Sequence, residues 1–147
     1  DHVPAVKLIN EKIPGVKVYI ENDANCAALG EALAGCGKGK KSFIAITLGT
    51  GVGGGVILDG KVLAGCNDAG GELGHISIKF DGEQCNCGRV GCFERYASAT
   101  ALVNQTKAAM EVNRNSKMWE LCDGDINNAG GRTAFDAMRK GDTAFPV

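Results

Sequence analysis

Three of the seven cysteines fall within one octet, Cys85-Asn86-Cys87-Gly88-Arg89-Val90-Gly91-Cys92. Three thiolates so spaced suit a single zinc ion, whose protein ligands form a tetrahedron. A fourth ligand is needed, and His75, in Gly71-Glu72-Leu73-Gly74-His75, is one of only two histidines. Four protein ligands leave no position for a substrate water, so the metal would be structural. Gly88 and Gly91 would let the chain turn tightly between ligands. An odd cysteine count cannot all pair internally, and clustered cysteines without a secretory signal bind metal more often than they form disulfides. Cys26, Cys36, Cys66 and Cys122 read instead as small packed apolar groups.

A second candidate is the run Gly49-Thr50-Gly51-Val52-Gly53-Gly54-Gly55. Glycines let backbone amides approach an anion closely, and Thr50 adds a hydroxyl, so the loop could cradle phosphate. It is not a P-loop, because no Gly-Lys-Ser/Thr ending leads into a helix. A plain tight hairpin is the alternative. Asp23 is placed between a strand end and a helix start, where a carboxylate could take a proton from a substrate hydroxyl oriented by Asn22. Asp and Asn are also favoured helix N-caps, which is the competing role for the pair. Glu72 and Glu94 each neighbour a candidate zinc ligand; they could accept hydrogen bonds from hydroxyls or be solvated charges near a helix terminus.

The elements that must position these groups follow from periodicity. Val3, Val6, Ile9 and Ile13 predict a helix beginning at Pro4 and ended by Pro14-Gly15. Val16, Val18 and Ile20 alternate as a short strand. Cys26, Leu29 and Leu33 mark the next helix, stopped at Gly35. Residues 43–48 form a nearly continuous apolar run suited to a central strand. Strands are also expected at Val56–Leu58 and Lys61–Ala64, joined at the Asp59-Gly60 turn. Residues 65–74 read as irregular, residues 93–112 as one long helix, and Thr133 with Asp136 as a capping box for a short helix ending near Gly141. The expected class is an α/β unit with a mixed sheet.

With 147 residues and 44% hydrophobic content, the chain is large enough for one core. Sixteen basic against seventeen acidic residues give a net charge of −1, which argues against a nucleic-acid-binding stripe. No apolar run nears the roughly 20 residues that span a bilayer. The expectation is a soluble, cytoplasmic protein with no membrane partner. Both ends fall close to helix boundaries, so the sequence reads as a cut piece of a longer chain.

In order, three blocks resemble the ROK family of sugar kinases and repressors. They are Glu21-Asn22-Asp23-Ala24-Asn25, Leu48-Gly49-Thr50-Gly51 with its following glycines, and Gly71 to His75 followed by Cys85 to Glu94. Tyr96-Ala97-Ser98-Ala99-Thr100-Ala101-Leu102 is most similar to the bacterial glucokinase branch, and the likeness is weakest over residues 111–131. The resemblance implies a partial ribonuclease H-like, actin/hexokinase-type ATPase fold with a zinc-binding insertion. It implies Asp23 as base, Asn22 binding a neighbouring hydroxyl, and Glu72, His75 and Glu94 holding sugar hydroxyls. Gly49, Thr50 and Gly51 would face the phosphates of ATP with its magnesium, and His75, Cys85, Cys87 and Cys92 would bind structural zinc.

The chain would then divide into a catalytic-aspartate strand and helix (1–41), a phosphate-loop hairpin (42–64), a sugar- and zinc-binding segment (65–94) and a helical segment (95–147). The expected activity is phosphorylation of a hexose, foremost glucose, in glycolysis, by a homo-oligomer such as a dimer. The family's first phosphate loop is absent, so this piece by itself is expected not to turn over ATP. A sugar-responsive repressor and a zinc-stabilised, non-catalytic module are the alternatives.

Overall fold

The computed structural model describes residues 3–144; the two chain ends that read as cut, at Asp1 and Pro146-Val147, lie outside them. The chain forms two compact units, residues 1–45 with 55–70, and residues 46–54 with 71–147.

The first unit holds two helices, α1 (Ala5–Lys12) and α2 (Asp23–Ala34). The first lies where its apolar spacing and Pro4 put it, though none of its residues is buried. Residues 16–20 are not a strand: they have no ladder partner among the described residues, and Val16 and Ile20 are exposed. Alternation permits a strand, but only a neighbouring strand makes one. Helix α2 begins and ends as expected, with Gly35 as its C-cap. Its buried side is Ala24, Asn25 and Ala28, however, while Leu29 and Leu33 are exposed. The reason is close approach: a Cβ on Gly55 would overlap Ala28 and the Ala24 carbonyl. Small residues on both partners bring the backbones together, and the larger leucines point away.

Three strands follow in the sheet order β1-β2-β3, with β1 at Phe43–Leu48, β2 at Val52–Leu58 and β3 at Lys61–Val62. Among the described residues the strand expected to be central, β1, is an edge; Ile44, Ile46 and Leu48 alternate as exposed residues while Phe43, Ala45 and Thr47 are half-buried. Strand β2 starts four residues earlier than expected and takes in glycines where a side chain would not fit, a Cβ on Gly54 overlapping Leu73 and one on Gly55 the Ala24 carbonyl. Asp59 and Gly60 both have positive φ, 48° and 78°, the torsions of the type I′ hairpin. Strands β2 and β3 are antiparallel, with Ile57 opposite Val62.

The second unit is mainly helical: α3 (Glu94–Ala97), α4 (Ala99–Val112), α5 (Lys117–Leu121) and α6 (Thr133–Arg139). The single helix expected over 93–112 is broken at Ser98, an extended residue whose hydroxyl caps α4 by accepting from the Ala101 amide. Helix α6 exists, but the capping box does not form. Thr133 Oγ1 accepts from the Gly130 amide, and Asp136 pairs with Arg132 and Arg139. Helix α5, which no apolar period announces, completes a core of Met110, Met118, Cys122, Ala129, Ala134 and Ala137.

Asp142 holds this core's ends together. Its Oδ2 accepts from the Ser116 hydroxyl and the Lys117 amide, each at 2.6 Å, and its Oδ1 accepts from the Ala144 amide at 2.8 Å. The Ser116 bond, foremost among these, lowers the Asp142 pKa from the ordinary aspartate value. A lowered pKa stabilises the fold at neutral pH and is lost as pH falls through it, below about pH 4. Asp142→Ala is expected to cost about 1 kcal/mol, the scale of a lost helix cap. Thermal melts at pH 7 and pH 3 check this, the difference between wild type and variant shrinking at the lower pH.

Candidate functional site

Each candidate residue is placed within its own unit. Asn22 and Asp23 belong to the first; Gly49 to Gly51, Glu72, His75, Glu94 and the three clustered cysteines belong to the second.

The second unit brings His75, Cys85, Cys87 and Cys92 together, their four ligand atoms all within 4.8 Å of one another. Cys85 Sγ lies 3.6 Å from His75 Nδ1, and Cys87 Sγ 3.6 Å from Cys92 Sγ. The Cys87–Cys92 separation is too long for a disulfide, whose sulfurs sit about 2.05 Å apart. Both separations approach the edge of a zinc tetrahedron, about 3.8 Å for ligand bonds of about 2.3 Å. The donor set therefore fits a tetrahedral thiophilic ion.

Local backbone structure builds this knuckle. The Cys85 amide donates to the Arg89 carbonyl and the Gly88 amide to the Cys85 carbonyl, closing the turn that carries Cys87. Bridges between Gln84 and Val90 and between Ser77 and Cys92 fix its two sides. Gly91 has φ 75°, and a Cβ there would overlap the Lys79 carbonyl. His75 ends a short 3-10 turn, Leu73–His75, seated against β2, where a Cβ on Gly74 would overlap the Val52 carbonyl. Glu72 precedes that turn and is exposed. Burial, with the neighbouring Cys87 and Cys85 thiols, pushes Cys92 up to about 12. The Arg89 backbone amide lowers Cys87. A buried thiol held protonated like that of Cys92 is one whose ionisation a bound dication would favour.

The glycine loop lies in the same unit. Glu94, half-buried at the start of α3, accepts from the Val52 amide through Oε2 at 2.9 Å. The Ala99 amide donates to the Gly49 carbonyl at 2.8 Å, and the Thr100 hydroxyl to the Thr50 carbonyl at 2.7 Å. Sequence reasoning finds Glu94 but not Ala99 or Thr100. Their partners lie about fifty positions away, and the available local signal is Ser98, a helix cap just before them.

In the first unit Asn22 is the N-cap of α2. Its Oδ1 accepts from the Ala24 and Asn25 amides at 2.9 and 3.2 Å. Asp23 follows as the first helical residue and is exposed, with Oδ1 accepting from the Ala24 amide at 2.8 Å. The capping role is thus real for Asn22, and it presents Asp23 at a helix N-terminus. Glu21 Oε1 accepts from the Asn25 side chain and the Asn22 amide, which lower its pKa in that order.

This architecture recurs among sugar kinases of known structure. A ROK-family glucokinase from Streptomyces griseus, in complex with glucose and AMPPNP, matches with a TM-score of 0.83 and 39% identity, over 97% of this chain and 46% of that one. The fold is of the actin/hexokinase-like class. The ROK family model matches residues 1–144, and the chain belongs to the ROK family. Among curated relatives, a glucokinase of Thermotoga maritima is 43% identical over 131 residues, 89% of this chain and 41% of its own length. A xylose repressor of Bacillus subtilis is 44% identical over 101 residues, 67% of this chain and 26% of its own. The chain thus spans less than half the length of these relatives. Among the described residues no helix is long and apolar enough to cross a membrane.

Proposed function

We propose that this chain is the central part of an ATP-dependent hexose kinase that converts glucose to glucose 6-phosphate. Asp23 is the general base: its carboxylate takes the proton of the 6-hydroxyl as that oxygen attacks the γ-phosphorus of ATP and ADP departs. Asn22 binds a neighbouring hydroxyl. In the second unit Glu72 and Glu94 accept from sugar hydroxyls, His75 donates to one through its Nε2–H, and Gly49, Thr50 and Gly51 face the phosphates of magnesium ATP. Phosphoryl transfer asks for positioning and charge stabilisation more than covalent chemistry, and these residues supply acceptors and backbone amides.

The single observation that carries this reading is the join made by Glu94. It lies two residues after Cys92, the last donor of the knuckle, and holds the glycine loop through Val52, in a chain whose glucokinase relative aligns over 89% of it. His75, Cys85, Cys87 and Cys92 hold zinc in this proposal; the ion supplies rigidity and no reaction chemistry. With Nδ1 of His75 on the cluster side, Nε2 is left for a hydroxyl. Segments 1–41, 42–64, 65–94 and 95–147 are then the aspartate, phosphate-loop, sugar- and zinc-binding, and helical parts of a cytoplasmic, dimeric enzyme.

The xylose repressor relative favours a second reading, a sugar-responsive regulator, with the shorter aligned share of 67%. ADP release by the full-length protein with magnesium ATP and a hexose tests the choice. Sugar binding without turnover would favour the regulator.

A further inference from the structure

Residues 94–100 tie the glycine loop at three points, all inside the second unit. Glu94 holds the Val52 amide, the Ala99 amide holds the Gly49 carbonyl, and the Thr100 hydroxyl holds the Thr50 carbonyl. In a trans peptide the carbonyl of one residue and the amide of the next point in opposite directions, and the described residues contain no cis peptide. Drawing the Gly49 and Thr50 carbonyls toward the start of α4 therefore turns the Thr50 and Gly51 amides the other way. Neither amide donates to a protein acceptor among the described residues. Adjacent amides left open in this manner form an anion-binding concavity.

Thr50 sits between two glycines, so the loop's peptide planes have little intrinsic preference for one orientation. Something must hold them. The backbone tie at Ala99 fixes the first plane, and a side chain fixes the second. Thr100 is exposed, so packing does not require its hydroxyl. That hydroxyl's proton is committed to the Thr50 carbonyl.

We infer that Thr100 is a positioning residue for nucleotide: its hydroxyl anchors the Thr50 carbonyl and so presents the Thr50 and Gly51 amides to the phosphates of ATP. This rests on the kinase reading above.

The test compares Thr100→Val, which keeps the branched shape without the hydroxyl, with Thr100→Ser, which keeps the hydroxyl, in the full-length protein. The valine variant is expected to raise the KM for magnesium ATP roughly five- to tenfold, the scale of one lost hydrogen bond, with the hexose KM and Tm unchanged. The serine variant should restore the wild-type value. An unchanged ATP KM in Thr100→Val overturns the inference, as does an equal rise in both KM values with a lowered Tm. If the wild type turns over no hexose, the kinase reading fails and calorimetric binding of a non-hydrolysable ATP analogue decides the inference separately. A matching loss of affinity in the valine variant upholds it. Equal affinity, or no nucleotide binding by the wild type, overturns it.

Discussion

Asp23→Asn in the full-length protein is expected to lower kcat by roughly a hundredfold to ten-thousandfold, the range over which a positioned base contributes. The hexose KM should stay close to wild type, because the amide keeps the size of the carboxylate and can still accept a hydrogen bond. Local structure should survive too. The α2 cap is made by Asn22 and not by Asp23, and Asp23 is exposed. Losing an acidic group from the first helical turn is worth only about 0.3–1 kcal/mol. A fall in kcat without a change in hexose KM identifies an interaction made in the transition state. Steady-state kinetics with a melting curve beside them separate this from unfolding. Wild-type turnover in the variant would remove Asp23 from the base role.

Cys87→Ser carries the largest expected loss of stability. Cys87 is exposed, and an ordinary surface substitution changes stability by no more than about 0.5 kcal/mol. As one of four ligands it would instead forfeit a large part of a binding free energy that reaches about 10–16 kcal/mol for structural zinc. The two readings differ by several kcal/mol, so a melt decides between them even without a precise value. Bound metal per chain should fall from one to near zero, with a lowered Tm. One retained zinc and an unchanged melt would show that Cys87 is not a ligand.

Chemistry whose parts are neighbours in sequence is legible in the sequence itself. The knuckle needs three cysteines within eight positions, and spacing alone limits what they can do; His75, ten residues upstream, is reachable by elimination. Asp59-Gly60 and Gly35 are readable because each needs a backbone conformation or a helix stop that few residues provide. Expectations fail where the outcome depends on partners remote in sequence. Val16, Val18 and Ile20 have the strand alternation and no strand to pair with. Leu29 and Leu33 have helical spacing, yet α2 turns its alanines inward because Gly55 admits nothing larger. The break at Ser98 has a local signal, a serine before a helical run, that the apolar periodicity of residues 93–103 obscures. Helix α5 is five residues long, too short to show a period, and is held by Asp142 from far along the chain. The candidate site divides in the same way. Its donor set is visible in sequence, while the ties from Glu94, Ala99 and Thr100 to the glycine loop emerge only from the fold.

The most direct test of the central claim is coupled ADP release by the full-length protein, with magnesium ATP and a panel of hexoses. The account predicts robust turnover on glucose. No turnover on any hexose, from folded protein that binds sugar, would contradict it and favour a sugar-responsive repressor.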